Sequence, residues 1–330
     1  REATKLRMRS DVPVGAFLSG GIDSSAVTAL MDEVSDRPVR TYSIGFGNEA
    51  YDELDFARLV ADKYDTDHHE YTVTPNSIEV LSNLIEEYEM PFGDPSALPP
   101  YYVSQVASDD ITVVLSGDAG DETFAGYDRY TRDWIAQRLS KLPSPIRRAG
   151  IGALEALPSS VRRHNAVRFP REGLKTAEGD EVERYARLIT HFIGERADAI
   201  WDGPEPDDEL AFLRNAFEEA DGPTRRDQIT YVDAKTYLPC DLLVKVDRAS
   251  MAHSLEVRSP FLDHEFVEFA ANVPAKYKWR RGKKKWLLKR AFRGELPDEV
   301  LDREKQGFGV PINEWFRGEL REYARDRFDR

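Results

Sequence analysis

The stretch Ser19-Gly20-Gly21-Ile22-Asp23-Ser24-Ser25 holds residue types that together bind an anion. Two adjacent glycines let a backbone turn tightly and approach a ligand closely. The serines add hydroxyl donors where a helix N-terminus leaves N–H groups unpaired, and the helix dipole favours negative charge there. Asp23 opposes a bound phosphate unless a cation lies between them, and a magnesium ion bridging the carboxylate to pyrophosphate removes that conflict. The spacing is not GxxxxGK[ST] and no Lys follows the glycines, which excludes a Walker A loop. The plainer alternative is a Gly-Gly turn with Ser and Asp caps on an ordinary helix.

A second group, Leu115-Ser116-Gly117-Asp118-Ala119-Gly120-Asp121-Glu122, concentrates three carboxylates and two glycines within six residues. Its bland reading is a solvated acidic turn capping the next helix. Facing a magnesium nucleotide, Asp118, Asp121 and Glu122 read instead as metal or acid–base groups. The spacing fails the EF-hand pattern. Gly45-Phe46-Gly47-Asn48-Glu49-Ala50 fits a loose dinucleotide fingerprint. Glu49, Asp52, Glu53 and Asp55 crowd the same helix start and would repel a pyrophosphate, so that reading is dismissed and these acids are read as helix caps.

Both groups must be positioned by the elements before them. Val14–Leu18 is a compact apolar run, followed by helical spacing from Ser24 to Val34. Arg40–Phe46 and His68–Val73 read as strands, each followed by a helix, the second from Ile78 to Tyr88. Tyr101–Ala107 reads as a helix before the β-branched strand Ile111–Leu115. This alternation predicts an α/β fold, a parallel sheet of about five strands with helices on both faces. Right-handed crossovers would then bring both loops to one sheet edge. From about Thr131 no convincing strand follows and prolines break the chain, so the remainder reads as helical. The expected division is a nucleotide-binding core over residues 1–135 and a helical extension over 136–330.

The whole chain is acidic, with 46 basic and 60 acidic residues among 330 and a net charge of −14. That balance argues against a general nucleic-acid partner. The 41% hydrophobic content is enough for a core and excludes a disordered chain. No apolar run reaches the roughly 20 residues that span a bilayer, and no apolar leader opens the sequence, so a cytoplasmic location is expected. The single Cys240 excludes an intrachain disulfide and a multi-cysteine zinc site. One stretch reverses the trend: Lys276–Arg293 carries ten basic residues and no acidic one, with Trp279 and Trp286 between them. A solvated basic helix face accounts for it more simply than nucleic acid. Farther on, Lys305 precedes the glycine-containing Gln306–Gly309, where an ammonium could neutralise charge building on a phosphate.

Ser10–Ser25, Leu115–Tyr130, Asp241–Phe266 and Arg303–Phe316 together resemble the synthetase domain of glutamine-hydrolysing asparagine synthetases, within the PP-loop ATP pyrophosphatase superfamily. The likeness implies an adenine nucleotide alpha hydrolase-like fold. It also implies that ATP is attacked at its α-phosphate by the aspartate side-chain carboxylate, and that ammonia then displaces AMP. By motif match, Ser19, Gly20, Gly21, Asp23, Ser24 and Ser25 would hold pyrophosphate, with Asp23 and Asp121 on Mg2+. Leu18 and Ile44 would flank the adenine, and Ser116 and Gly117 would contact the nucleotide. Asp118 matches the acidic residue tied to intermediate formation and to deprotonating ammonia, Asp121 and Glu122 would support metal and substrate geometry, and Lys305 would steady adenylation. Asp247 and Arg248 are weaker candidates for positioning substrate.

Two departures stand out. The motif usually reads Gly-Ala where this chain has Ala119-Gly120, and Gly-Gly where it has Ala125-Gly126. The family also carries an N-terminal Cys-dependent glutaminase domain that this chain does not show. The expected partners are therefore aspartate, ATP and ammonia, with a glutaminase domain or subunit as nitrogen source, no membrane, and a homodimer as a candidate assembly. Relatives that adenylate another carboxylate, of the β-lactam synthetase or macrocyclase type, stay open, as does a non-catalytic nucleotide-binding module.

Overall fold

The computed structural model describes residues 1–47, 53–73, 77–90, 92–158, 165–190, 193, 203, 208–303, 316–318 and 320–328. The Lys305 expectation falls outside them. Five strands, β1 (Val14–Phe17), β2 (Arg40–Gly45), β3 (Asp67–Thr72), β4 (Val113–Leu115) and β5 (Glu256–Arg258), form one sheet in the order β3-β2-β1-β4-β5. Every neighbouring pair is parallel. The apolar run at Val14 becomes the central strand, since a strand flanked on both sides and buried on both faces needs near-continuous small or apolar side chains.

β5 is the correction to the sequence reading, which expected no strand after Thr131. Its three residues are Glu256, Val257 and Arg258, and two charged side chains in three positions hide it from any hydrophobic pattern. Pairing reveals it: Leu115 lies opposite Arg258, and the Ser116 amide continues the ladder to the Arg258 carbonyl at 2.9 Å. The Arg258 guanidinium reaches on to the carbonyls of Arg7 and Arg9 and ties the N-terminal segment to the sheet.

The chain forms two compact units. The first comprises Arg1–Gly120, Leu238–Asn272 and Trp286–Arg330, and the second Asp121–Tyr237 and Val273–Lys285. A single cut near residue 135 therefore does not describe the division, because the sheet takes its last strand from the C-terminal half. Within the first unit, Tyr42 and Ile44, two residues apart on one face of β2, pack with Leu84, Leu98, Tyr102 and Ala249. A separate cluster joins Leu18 to Ala57, Val60 and Val300. In the second unit the helices Glu181–Ile189 and Arg225–Lys235 begin with reciprocal capping boxes from Asp180 and Thr224. They bury Val182, Tyr185, Ile229 and Val232 in one core. Among the described residues, no helix is long and apolar enough to cross a membrane.

A buried ion pair locks the helix Leu243–Met251 to the segment before the helix Leu98–Ala107. Lys245 Nζ donates to Asp94 Oδ2 at 2.7 Å and to Ser96 Oγ at 2.8 Å. Burial alone would raise the Asp94 pKa, but the Lys245 charge and hydrogen bond outweigh it and hold the carboxyl below its ordinary 3.8. Removing one partner leaves a buried charge uncompensated. Lys245→Met is expected to lower unfolding free energy by about 3 kcal/mol at neutral pH, read from the urea midpoint. Because the folded Asp94 pKa is depressed, its contribution is present above the ordinary value and lost as pH falls through the lowered one. The gap between wild type and variant should therefore shrink in acid.

Candidate active site

The loop after β1 is shaped from within. Gly20 has φ +68°, and a Cβ there would lie 2.6 Å from the Ala57 amide nitrogen, so only glycine fits. The Ser24 hydroxyl donates to the Gly21 carbonyl at 3.1 Å, shares a hydrogen bond with Ser19 Oγ at 3.1 Å and accepts from the Ser19 amide at 3.2 Å. These bonds close the turn onto the first residues of the helix Ile22–Val34. That helix has Gly21 at its N-cap and no side-chain cap, so its first-turn N–H groups are not taken by a capping side chain. Such an uncapped terminus suits a ligand oxyanion. Ser25 is fully buried, so its hydroxyl is not on the surface of the turn.

The loop after β4 packs directly onto this turn, because β1 and β4 are hydrogen-bonded neighbours. A Cβ at Gly117 would meet the Ser24 amide nitrogen at 2.7 Å and Asp23 Cβ at 2.8 Å. One at Gly120 would run into the Asp23 carboxylate. Two missing side chains thus make a cradle for the Asp23 carboxylate. Asp118 lies between these glycines. Its carboxylate accepts from Ser116 Oγ at 2.7 Å, and its carbonyl accepts from Ser259 Oγ at 2.7 Å. Beside it a cavity of about 350 Å³ is lined by Ser116, Asp118, Asp247 and Ser259 together with apolar side chains such as Leu243 and Val246.

The other expected residues divide. Leu18 and Ile44 are buried, and their side chains belong to two separate apolar clusters. Asp247 faces the cavity, whereas the neighbouring Arg248 pairs with exposed Glu89 at 3.8 Å. Asp121 and Glu122 open the second unit, where Asp121 Oδ1 pairs with the buried Lys285 ammonium at 2.7 Å. Burial first, and then the Asp121 charge, push the Glu122 carboxyl up to about 7, against the opposing hydrogen bond from Tyr127 at 2.6 Å. The Tyr127 ring stacks on Arg129, which also lies over Tyr237, and Arg129 donates to the fully buried Asp233 at 2.8 Å. Tyr130 and Tyr185 donate to the same carboxylate.

Three features escaped the sequence reading. The basic run is not simply a solvated face: Lys285 pairs inward with Asp121, and Lys284 reaches Asp128 at 2.5 Å. Its Trp279 packs within the second unit against Trp134 rather than outward. Ser259 stands in a stretch noted only for its overall pattern. Of the acids read as caps on the helix Leu54–Tyr64, Glu53 sits at the N-cap without a side-chain cap and pairs with Arg303 at 2.6 Å. Asp55 pairs with Arg58.

Magnesium prefers hard oxygen donors and keeps several waters, needing only one or two carboxylates. Asp23 in its glycine cradle supplies such a donor beside serine hydroxyls and the helix terminus, so the residues fit the ion. Among the described residues no group of three or more metal-ligating side chains gathers.

The two alanines that stand where the resembling motif has glycine both adopt left-handed backbone, Ala119 with φ 67° and Ala125 with φ 53°. A Cβ costs roughly 1–2 kcal/mol there, partly offset by the greater unfolded-state freedom of glycine. Ala119→Gly and Ala125→Gly should each raise stability by about 1 kcal/mol, measured as a shift of the denaturation midpoint. An unchanged or lowered midpoint would contradict that account of the two turns.

The description "Asparagine synthase" fits residues 1–330 as a protein family. Asparagine synthetase [glutamine-hydrolyzing] 1 of Bacillus subtilis is 30% identical over 98% of this chain and 50% of its own length. The putative asparagine synthetase of Mycobacterium tuberculosis H37Rv is 35% identical over 96% and 48%. A second putative asparagine synthetase, from Methanocaldococcus jannaschii, is 36% identical over 76% and 47%. The chain spans about half the length of the curated relatives it matches. With the family covering every residue and a parallel sheet carrying the two packed loops, the chain belongs to the asparagine synthase family.

Proposed function

We propose that this chain is the ATP-dependent, amide-forming portion of a carbon–nitrogen ligase that makes asparagine from aspartate. The observation that carries the reading is the packing of the Gly117–Gly120 loop against Asp23 and Ser24. It sets an uncapped helix terminus, a cradled carboxylate and Asp118 within one loop pair.

In this reading the turn Ser19–Ser24 binds the leaving pyrophosphate through backbone N–H groups, and the buried Ser25 supports the turn. Asp23 would hold Mg2+, which supplies charge neutralisation on the phosphates when bound. Asp121 is the second candidate ligand, with Lys285 as its present partner. Ser116 and Gly117 border the nucleotide, and Leu18 and Ile44 end strands beside the adenine. An aspartate side-chain oxygen attacks the α-phosphorus, the bond to the bridging oxygen breaks, and pyrophosphate departs. Lys305 would offset charge on the α-phosphate. Ammonia then attacks the acyl carbon, Asp118 accepts its proton, and AMP leaves with the bonding pair. Glu122, Asp247 and Arg248 take supporting places around substrate. Ammonia would reach the site free or from a glutaminase domain or subunit, in a cytoplasmic homodimeric enzyme.

Pyrophosphate release from ATP, measured with a panel of carboxylates and free ammonia, tests the reading. Aspartate should give release well above background, and Asp118→Asn should lower amide formation by roughly 10²-fold or more, the scale of a lost general base. Release with another carboxylate but not with aspartate would move the assignment to a different amide-forming enzyme. ATP binding without any turnover would remove the catalytic reading.

A further inference from the structure

Asp118 is fixed at two points by two different strand ends. Ser116, the residue after β4, donates its hydroxyl to the Asp118 carboxylate at 2.7 Å. Ser259, the residue after β5, donates its hydroxyl to the Asp118 carbonyl at 2.7 Å, across 141 positions of sequence. Ser259 is at the N-cap of the short turn Pro260–Leu262 but makes no side-chain cap there. Proline at the first position of that turn brings no N–H that would need one. The hydroxyl of a nearly buried serine is thereby directed to the neighbouring loop.

The peptide it holds is a strained one. The carbonyl of Asp118 belongs to the peptide that joins it to Ala119, and Ala119 has φ 67°, a conformation an alanine adopts at a cost. On the other side the loop is fixed by Gly117, whose Cα sits against the Ser24 amide with no room for a side chain. A strained turn persists only where its surroundings over-determine it. Here those surroundings are Ser259 on one side and the Asp23–Ser24 turn on the other. The amide of Ser116 is also bonded to the Arg258 carbonyl at 2.9 Å, so β5 and the residue after it hold this loop at its entry and its middle.

We infer that Ser259 is a positioning residue: its hydroxyl holds the Asp118–Ala119 peptide so that the Asp118 carboxylate keeps its place at the edge of the cavity. The inference rests on the role proposed for Asp118, and it adds a function for β5 beyond completing the sheet. Without the hydroxyl, Ala119 relaxes toward a negative φ and carries the Asp118 side chain with it. The loss falls on turnover rather than on nucleotide affinity, because the Ser19–Ser24 turn does not depend on Ser259 for its own closing bonds.

The test compares wild type, Ser259→Ala and Ser259→Thr in the intact protein supplied with free ammonia. Two readouts are taken: steady-state amide formation, and hydrogen–deuterium exchange of the peptide spanning residues 115–124. Ser259→Ala should lower kcat about tenfold, the barrier equivalent of one hydrogen bond, with KM for ATP unchanged. Exchange in that peptide should rise by a similar factor while the melting temperature stays within a few degrees. Ser259→Thr keeps the hydroxyl and should restore both.

Unchanged exchange in Ser259→Ala overturns the inference, as does faster exchange with unaltered kcat. If the wild type makes no amide from aspartate, the proposed function fails by itself. The exchange comparison still decides whether Ser259 holds the Asp118 loop. Should Ser259→Ala fail to fold, Ser259→Cys, similar in shape but a weaker donor, is read by the same criteria.

Discussion

The contact between the backbone of Gly117 and the Asp23–Ser24 turn is the constraint from which the candidate site follows. It needs two things at once. β1 and β4 must be adjacent and parallel, so that both chains leave the sheet at the same edge, and the residue at the contact must lack a side chain. The first is a property of topology, met by the central place of β1 in the order β3-β2-β1-β4-β5. The second is a property of one residue, since a methyl group at 117 would come within 2.7 Å of a backbone nitrogen that cannot move without unwinding the helix start. Gly120 differs in kind. Its missing Cβ makes room for a carboxylate, which can rotate, so that position governs where Asp23 points more than whether the loops meet.

Polar groups do much of the organising in both units, and burial makes that arrangement costly to break. In the second unit a single carboxylate, Asp233, is fully buried and accepts hydrogen bonds from Tyr130, Tyr185 and Arg129. A buried carboxylate is tolerated when its lone pairs are filled and a cation faces it, and both conditions hold here. The stacking of Arg129 between Tyr127 and Tyr237 fixes the ring that in turn donates to Glu122. The orientation of Glu122 is therefore set by residues more than 100 positions away in sequence, through contacts that fail together if one member is removed.

Much of this was legible in the sequence, and what was not has specific causes. Val14, Ile111–Leu115 and the Arg40 run announce buried parallel strands by β-branched and apolar content, and the loop motifs announce the edge at which they end. β5 was not legible because a three-residue strand reading Glu-Val-Arg carries no periodicity, and its strand character comes from pairing alone. The inward course of Lys285 was illegible for a similar reason. A basic run looks alike whether its charges face water or turn inward to a carboxylate, and for Lys285 only the position of Asp121 decides. The swap at Ala119-Gly120 was visible, yet its consequence was not, because φ at 119 is a property of the turn rather than of the residue.

These cases point to one distinction. Sequence pattern reports what an element buries against itself and its immediate neighbours, so strands, helices and local loops are readable. It does not report hydrogen bonds that cross between elements far apart in the chain. The bond from Ser259 to Asp118 spans 141 positions and the bonds to Asp233 from Arg129 and Tyr130 span 104 and 103. A motif can therefore identify the residue that performs a chemical step while leaving unnamed the residues that hold it in place. In this chain such long-range bonds come from Ser259, just after β5, to the Asp118 carbonyl, and from the buried Tyr130 and Tyr185 to Asp233.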